Sequence, residues 1–434
     1  MIPAAVLIVA ARTGLLRQLP AAQVRNWLAL ATPSQAQLHK NEASNSPGPR
    51  QLLVDVSVIH EYDAGTGIQR VTRSVLHNLR VNPPPGFIVC CVATTRKSPY
   101  CYVDAIGKLT SQQVTVDAGD VFLGLDLAAH LVPHKLSQLT RWKLSGAALH
   151  FVVYDMLPLT HPAQFKPART RHFRAWANTI IRLADSLLCI SNSVQADLEN
   201  WLSHNAGLTS LQLPMHVIQL GGDFDAVYRS ETPKLSADVL HILAKLLDQR
   251  WALLVGTIEP RKCHDKVLDA FEIIWKSNSA VSLVFVGRSG WHTELLQQRI
   301  KQHPELDKRL YWINDANDTD LREFYKNASG VVLASLAEGY GLPLNEAIYY
   351  GKPLLVRDIP VFREVAGQAA TYFVDDNPLI FSAILQAWLS DITSPTSPQQ
   401  IIPTATWKES TRGIVRALGI AAHNCSDIPY EVLK

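Results

Sequence analysis

Two carboxylates, Glu338 and Glu346, stand eight positions apart in the stretch Glu338-Gly339-Tyr340-Gly341-Leu342-Pro343-Leu344-Asn345-Glu346, directly after the apolar run GVVLAS. Pro343 suits the first turn of a helix and Gly351 its C-terminal stop, which predicts a helix over residues 343–350. Gly339 and Gly341 allow close approach of backbone to a ligand, and helix N-terminal amides favour an anion at that point. In the first helical turns Glu346 can accept hydrogen bonds from vicinal hydroxyls, while Glu338, on the preceding loop, is expected to point into a cleft. An ordinary strand–turn–helix with a dipole-favoured Glu accounts for the same residues without a ligand. A second constellation, Val255-Gly256-Thr257-Ile258-Glu259-Pro260-Arg261-Lys262, follows the apolar run WALLV. Gly256 makes a tight strand exit, and Arg261 and Lys262 place two cations at a helix start, against the dipole. A departing diphosphate gathers charge on its oxygens, and fixed cations stabilise it.

Two further strand ends carry polar groups. Gly65-Thr66-Gly67-Ile68-Gln69-Arg70 opens a helical pattern, so Gly67 lies at a helix N-terminus and Arg70 in its first turn. A tight turn explains these glycines equally well, and the third glycine of a dinucleotide fingerprint is missing. Asp155 closes the apolar run LHFVVY, with Tyr154 just before it. Ser191 and Asn192, Gly287 and Arg288, and the segment Ile313 to Asp315 occupy similar strand-end positions, where loop or capping roles compete with ligand contact. His161 reads as a loop residue.

These residues need a scaffold of strand ends facing a cleft. Short apolar runs (LLVDVSVI, FIVCCVA, VFLGL, LHFVVY, SLLCI, HVIQL) alternate with amphipathic stretches from Gln51 onward. After Gly221-Gly222-Asp223 a polar connection runs to about Gln249, and a second series begins: WALLV, VSLVFV, LYWI, GVVLAS, PLLV and TYFV. The alternation predicts an α/β protein of two doubly wound Rossmann-like domains, with ligands at the strands' carboxyl ends in the cleft between them. The expected division is a tail and linker over 1–50, a first Rossmann-like domain over 51–225, a second over 249–400, and a C-terminal helix over 401–434.

Composition narrows the partners. At 434 residues, 47% hydrophobic and 18% charged, the chain can build two cores. A formal charge of +3, without a dense basic tract interleaved with aromatics, argues against nucleic acid. The six cysteines lack C-x-x-C spacing, several lie in apolar runs, and a reducing compartment without structural zinc is the simple reading. The apolar run from Ile2 to Ala11 is too short to span a bilayer and lacks a positive n-region, so a short helix or loose tail is expected. A cytoplasmic protein, at most peripheral to the inner face of the plasma membrane, follows.

The run SLAEGYGLPLNEAIYYGKPLLVRDIPVFREVAG resembles the E-x7-E signature of family 4 retaining glycosyltransferases, and VGTIEPRKCH is similar to that family's V-G-x-x-x-P-R-K-x-H diphosphate motif. T-G-I-Q-R-V resembles the first loop of bacterial polysaccharide mannosyltransferases, and ATWKESTRGIVRAL the family's terminal helix, which packs back on the N-terminal half. The resemblance covers residues 51–420. It implies a GT-B fold and transfer with retention, without metal or other cofactor. Glu338 would hold the sugar, Arg261 and Lys262 the leaving group, and Glu346 the ribose. Asp155 would join the catalytic centre, and Gly256, Gly339, Tyr340, Gly341, Leu342, Gly67, Arg70, Tyr154, Gly287 and Ile313 would line the substrate site. Where the family commonly has His before this Asp, the chain has Tyr154. The implied donor is a nucleotide sugar with GDP or UDP, GDP-mannose first, and the acceptor a polysaccharide or lipid-linked oligosaccharide. A GT-B nucleotide-sugar epimerase and a silent sugar-binding scaffold are the alternatives. A nicotinamide dehydrogenase is remote without G-x-G-x-x-G.

Overall fold

The computed structural model describes residues 3–32, 48–63, 65–206, 208, 212–224, 235–277, 279–375, 377–392 and 404–420. The first series of apolar runs supplies β1 (Arg50–Asp55), β2 (Phe87–Ala93), β5 (Val121–Gly124), β6 (Ala148–Val153), β7 (Ser186–Cys189) and β8 (Met215–Val217). Two short strands, β3 (Cys101–Val103) and β4 (Leu109–Gln113), join them at one edge. The sheet order is β4-β3-β2-β1-β5-β6-β7-β8, parallel except at the β2–β3 and β3–β4 pairings. The second series forms β9 (Trp251–Val255), β10 (Ser282–Val286), β11 (Leu310–Ile313), β12 (Gly330–Leu333), β13 (Leu354–Arg357) and β14 (Thr371–Phe373), a parallel sheet in the order β11-β10-β9-β12-β13-β14. Every residue of β9, β10, β12 and β13 is buried, as helices on both faces require. The expected two-lobed α/β architecture is therefore present.

Local chemistry changes several expected boundaries. The run LLVDVSVI was expected to be one strand, but it stops at Asp55 and turns into the helix Ser57–Glu61. Asp55 Oδ1 accepts from the Ser57 amide at 2.9 Å, and Asp126 Oδ2 accepts from the Val58 and Ile59 amides at 2.8 and 2.7 Å. Carboxylates thus satisfy the helix's free amides where a continued strand would leave them. The polar connection before Gln249 contains the helix Ala237–Leu246, whose Val239 and Leu246 enter the second core, so that lobe starts earlier than residue 249.

The larger correction concerns the N-terminus. Residues expected to be a short helix or a loose tail form two helices, Ala4–Thr13 and Ala21–Ala31, joined by the turn Leu15–Arg17, and Leu7, Leu16, Val24 and Leu28 are almost completely buried against the first lobe. Arginines fasten them: Arg182 donates to the carbonyls of Leu16 and Leu19 at 3.1 and 2.8 Å, and Arg25 to those of Ala184 and Gln212, both within 2.8 Å. Arg25 Nη1 thereby answers the Ala184 carbonyl and also that of Ile181, at 3.1 Å, among the last carbonyls of the helix Pro167–Leu183. The linker expected at 33–47 lies outside the described residues.

Two crossings join the lobes side by side. A Cβ on Gly221 would lie 2.4 Å from the Trp407 amide nitrogen, so only glycine permits this approach. The Gly222 amide donates to the Ala405 carbonyl at 3.0 Å, and the Trp407 amide to Asp223 Oδ1 at 2.6 Å. Helix Trp407–Ala417 then packs on helix Gly67–Val81, with Trp407 and Ile414 in the first lobe's core. Trp407→Ala should lower the unfolding free energy of that lobe by roughly 3–5 kcal/mol in a urea titration. A loss below about 1 kcal/mol would contradict this anchoring role.

Candidate functional site

The carboxyl ends of β9 and β10 touch. Gly256 has φ +149° and Gly287 φ +159°, and a Cβ on Gly287 would meet the Gly256 carbonyl oxygen at 1.9 Å. The chain leaving β9 then makes a short 3-10 turn, Pro260–Lys262, that turns Arg261 and Lys262 toward the loop after β12. That loop is tied down by the Leu336 amide, which donates to the Arg261 carbonyl at 2.8 Å. Glu338 sits between the two cations. Arg261 Nη1 donates to Glu338 Oε2 at 2.7 Å and to the Ala337 carbonyl at 2.9 Å, while Lys262 Nζ donates to Glu338 Oε1. Glu259, which the sequence reading passed over, takes the other Arg261 nitrogen at 2.6 Å.

All four charged side chains are at least four-fifths buried. Burial pushes the Glu338 carboxyl up, but Arg261 and then Lys262 outweigh it and hold it at about 2. Burial likewise opposes the Arg261 charge, and Glu338 and Glu259 more than offset this, keeping the guanidinium above its ordinary value. His264, just beneath, is pushed down to about 3 by burial and by Lys262, so it is neutral and adds no charge. The centre is a desolvated ion cluster in which each charge depends on the others. Removing one partner leaves an uncompensated buried charge.

The opposite wall comes from the first lobe. A Cβ on Gly339 would lie 2.0 Å from the Tyr154 carbonyl oxygen and 3.1 Å from Asp155 Cβ, so the Glu338 loop rests directly on the end of β6. Ser191 Oγ caps the helix Asn192–Asn205 and donates to the Gly339 carbonyl at 2.7 Å, holding the loop from the other side. Asp155 accepts from the Leu157 amide at 3.1 Å. Burial raises its carboxyl, and Arg261 and Arg169 partly counter that.

Tyr154 departs from expectation: its buried hydroxyl donates to the Leu125 carbonyl at 2.6 Å, so the ring belongs to the core and only its carbonyl reaches the site. Tyr340 is also committed elsewhere, with its hydroxyl 3.3 Å from both the amide nitrogen and the carbonyl oxygen of Leu220 at the lobe crossing. Gly341, with φ +89°, turns the chain into the helix Leu342–Tyr349, one residue earlier than expected at each end.

Glu346 is buried on that helix and faces Arg70 from the other lobe. Arg70 lies in helix Gly67–Val81, which begins with a capping box of Thr66 and Gln69. Its Nη1 donates to Glu346 and its Nη2 to Asp318 Oδ1 at 2.8 Å, while Tyr325 donates its hydroxyl to Glu346 Oε2 at 2.7 Å. The guanidinium also lies 4.9 Å from the Phe224 ring centre. Burial opposes the Arg70 charge, but Glu346 and Asp318 hold it above its ordinary value. Arg70, expected to line the substrate site, ties the two lobes together through carboxylates. Gly67 stands opposite Leu342, where a Cβ would lie 3.1 Å from the leucine's Cδ1.

Two other contacts bridge the lobes. Glu364 accepts four bonds from Asn192 and Ser193 at 2.7–3.0 Å, and Trp291 Nε1 donates to the Gln164 carbonyl at 3.0 Å with Arg169 over the indole. Ile313 lies at the end of β11, its carbonyl accepting from the Gly287 amide at 2.9 Å, beside exposed Arg288 and Asp315. His161 is exposed in a loop. Thus Arg261, Lys262, Glu338, Asp155, Gly256, Gly287 and Gly339 share one neighbourhood, and Glu346, Arg70, Gly67 and Leu342 form the adjoining one. Glu259, Asp318, Tyr325 and Glu364 were not singled out from sequence. Glu259 lies inside the diphosphate-like motif, but nothing local marks the other three.

Residues 241–404 match the family model described as Glycosyl transferases group 1. Over 384 residues the chain is 35% identical to Serotype-specific mannosyltransferase WbdA of Escherichia coli, covering 86% of this chain and 45% of that protein. It is 28% identical over 209 residues to O-antigen chain mannosyltransferase B of Escherichia coli, covering 46% of this chain and 51% of the other. The chain thus spans about half the length of the curated relatives it matches. The crystal structure of Anabaena HepE in complex with UDP and glucose is similar at TM-score 0.59 and 14% identity, covering 85% of this chain and 99% of that one. That likeness is one of fold: two facing doubly wound lobes in the GT-B arrangement.

Two consequences are measurable. Glu338 is held below its ordinary value of 4.5, so its stabilising effect is complete above that value and is lost as pH falls toward about 2. The stability gap between wild type and Glu338→Gln should shrink across that window, and a constant gap contradicts the ion cluster. A double-mutant cycle of Arg70→Met with Asp318→Asn, read by urea unfolding, should give a coupling of roughly 1–3 kcal/mol. Additivity within about 0.5 kcal/mol would mean that this bridge is not a stabilising one.

Proposed function

The chain carries a glycosyl transferases group 1 domain within a GT-B fold, and on that premise we propose that it is a retaining glycosyltransferase that moves a hexose from a nucleoside diphosphate to a saccharide acceptor. The observation that carries the reading is the buried Arg261–Glu338–Lys262 cluster, set at strand carboxyl ends opposite Asp155. In this reading the diphosphate leaves toward Arg261 and Lys262, which neutralise the charge gathering on its oxygens as the bond to the sugar breaks. Glu338, released from the cations by the incoming phosphates, turns its carboxylate to the sugar and stabilises positive charge on the ring. The acceptor hydroxyl attacks the face the diphosphate is leaving, and its proton passes to a phosphate oxygen. Fixed cations of this kind do the work a metal does elsewhere, so the transfer is taken as metal-independent. Glu346 receives the ribose hydroxyls once Arg70 yields its place. With Tyr154 in the core, no side chain from that position reaches the sugar, and Asp155 takes over the first lobe's share of positioning.

Mannose is the proposed sugar, GDP-mannose the proposed donor, and a growing O-antigen type polysaccharide the proposed acceptor. The support is the mannosyltransferase relatives together with the T-G-I-Q-R loop. Closure of the lobes around the donor would exclude water and limit its hydrolysis.

Purified protein incubated with GDP-, UDP- and ADP-sugars and a mannoside acceptor should release GDP from GDP-mannose and extend the acceptor with retained configuration. Glu338→Gln and Lys262→Ala should each lower kcat by roughly a hundredfold or more. Turnover of UDP-sugars alone would refute the donor. Full transfer by Glu338→Gln would refute the assigned centre.

A further inference from the structure

Although the formal charge is only +3, the cations are unevenly placed. Residues 3–32, 94–100, 127–146 and 156–184 contain no Asp or Glu and thirteen Lys and Arg, so the rest of the chain is net acidic. The fold brings these four segments together. Helix Ala4–Thr13 packs on helix Leu136–Leu144, and helix Ala21–Ala31 on helix Pro167–Leu183. Arg17 donates to the Pro133 carbonyl, and Arg182 reaches back to Leu16. His134 sits among Arg96, Arg17, Lys135 and His172, while Glu61 near His130, Asp197 near His161 and Asp185, paired with Lys143, mark the borders of the patch.

Many of these cations are free of the core. Arg12, Arg17, Arg96, Lys97, Arg171 and Arg174 are exposed, and Arg171 and Arg174 are one helical turn apart. Beside them lie large apolar side chains turned to solvent: Val6 at 52%, Val9 at 58% and Leu15 at 49% exposure. Val6 and Val9 share one face of the first helix, the face away from its buried Leu7 and Ala11. Among the described residues nothing in the first lobe covers them.

We propose that this predominantly basic face docks on an anionic lipid bilayer, its Lys and Arg against headgroups and Val6, Val9 and Leu15 entering the interface. A soluble polyanion would use the charges but leave the apolar ridge without purpose, and that decides between them. Segments 94–100, 127–135 and 156–166 follow β2, β5 and β6 at their carboxyl ends, the end that faces the cleft. Docking therefore holds the first lobe's cleft side near the membrane, where a lipid-linked acceptor would present itself. The inference goes beyond the transfer reading and stands on different residues.

Co-sedimentation of the full chain with phosphatidylcholine vesicles, with and without one third phosphatidylglycerol, tests it. Binding should require the anionic lipid and weaken with salt. Arg171→Glu combined with Arg174→Glu should lower partitioning at least tenfold, and Val6→Asp combined with Val9→Asp several-fold. GDP and UDP affinity should be the same in all variants, which separates loss of docking from loss of fold. Equal binding to both vesicles, binding to neither, or indifference to the variants overturns the proposal. So does capture by soluble polyphosphate that displaces the vesicles and ignores the valine changes. The vesicle result holds whatever the sugar panel returns, and either reading can fail alone.

Discussion

A carboxylate held between two cations organises this molecule. Glu338 bonds to Arg261 and Lys262 in a space from which water is largely excluded, and Glu259 completes the second side of the arginine. Charges buried this way are costly unless each is answered. The surrounding backbone is built to answer them: Gly256 and Gly287 let two strand exits meet, and Gly339 lets the Glu338 loop lie against the end of β6. A Cβ at Gly287 or Gly339 would push the partners apart, and Gly256 holds a backbone conformation that other residues rarely adopt. The geometry also makes the cluster exchangeable. A phosphate group offers the same cations the same kind of acceptor that Glu338 now provides.

The second neighbourhood follows the same logic across the cleft. Glu346 is answered by Arg70 from the first lobe and by Tyr325 from the second, with Asp318 sharing the arginine. Glu364 caps the amides at the start of helix Asn192–Asn205, and Ser191 holds the Gly339 carbonyl. Water can replace each of these polar bonds as it breaks. The apolar part of the same interface, where Leu157 and Phe165 of the first lobe meet Ala337 and Trp291 of the second, has no such substitute.

Much of this was legible in the sequence, and the limits are physical. Strand runs, their alternation with helices and the two motif loops depend on neighbours a few residues apart, so the helix at Leu342–Tyr349 was placed to within one residue. Arg70 and Asp318 are 248 positions apart, and nothing local marks them as partners. Tyr154 looked like a site residue because it ends a strand beside Asp155, but only packing reveals that its ring turns toward Leu125. The sequence alone left the N-terminal run as a short helix or a loose tail. Its Leu7, Ala10 and Ala11 nevertheless have helical spacing, and the partners that bury them lie more than a hundred residues away. The edge strands β3 and β4, three and five residues long, fall below what alternation can signal.

Calorimetric titration of GDP and UDP into wild type, Glu338→Gln and Lys262→Ala tests most directly whether Glu338 keeps the place of a diphosphate. With its charge removed, Glu338 no longer competes for Arg261 and Lys262, so Glu338→Gln should bind the preferred nucleotide more tightly than wild type although it transfers poorly. Lys262→Ala should bind it more weakly. Weaker or unchanged binding by Glu338→Gln, with Lys262→Ala unaffected, would show that the cluster is structural and that the leaving group is held elsewhere.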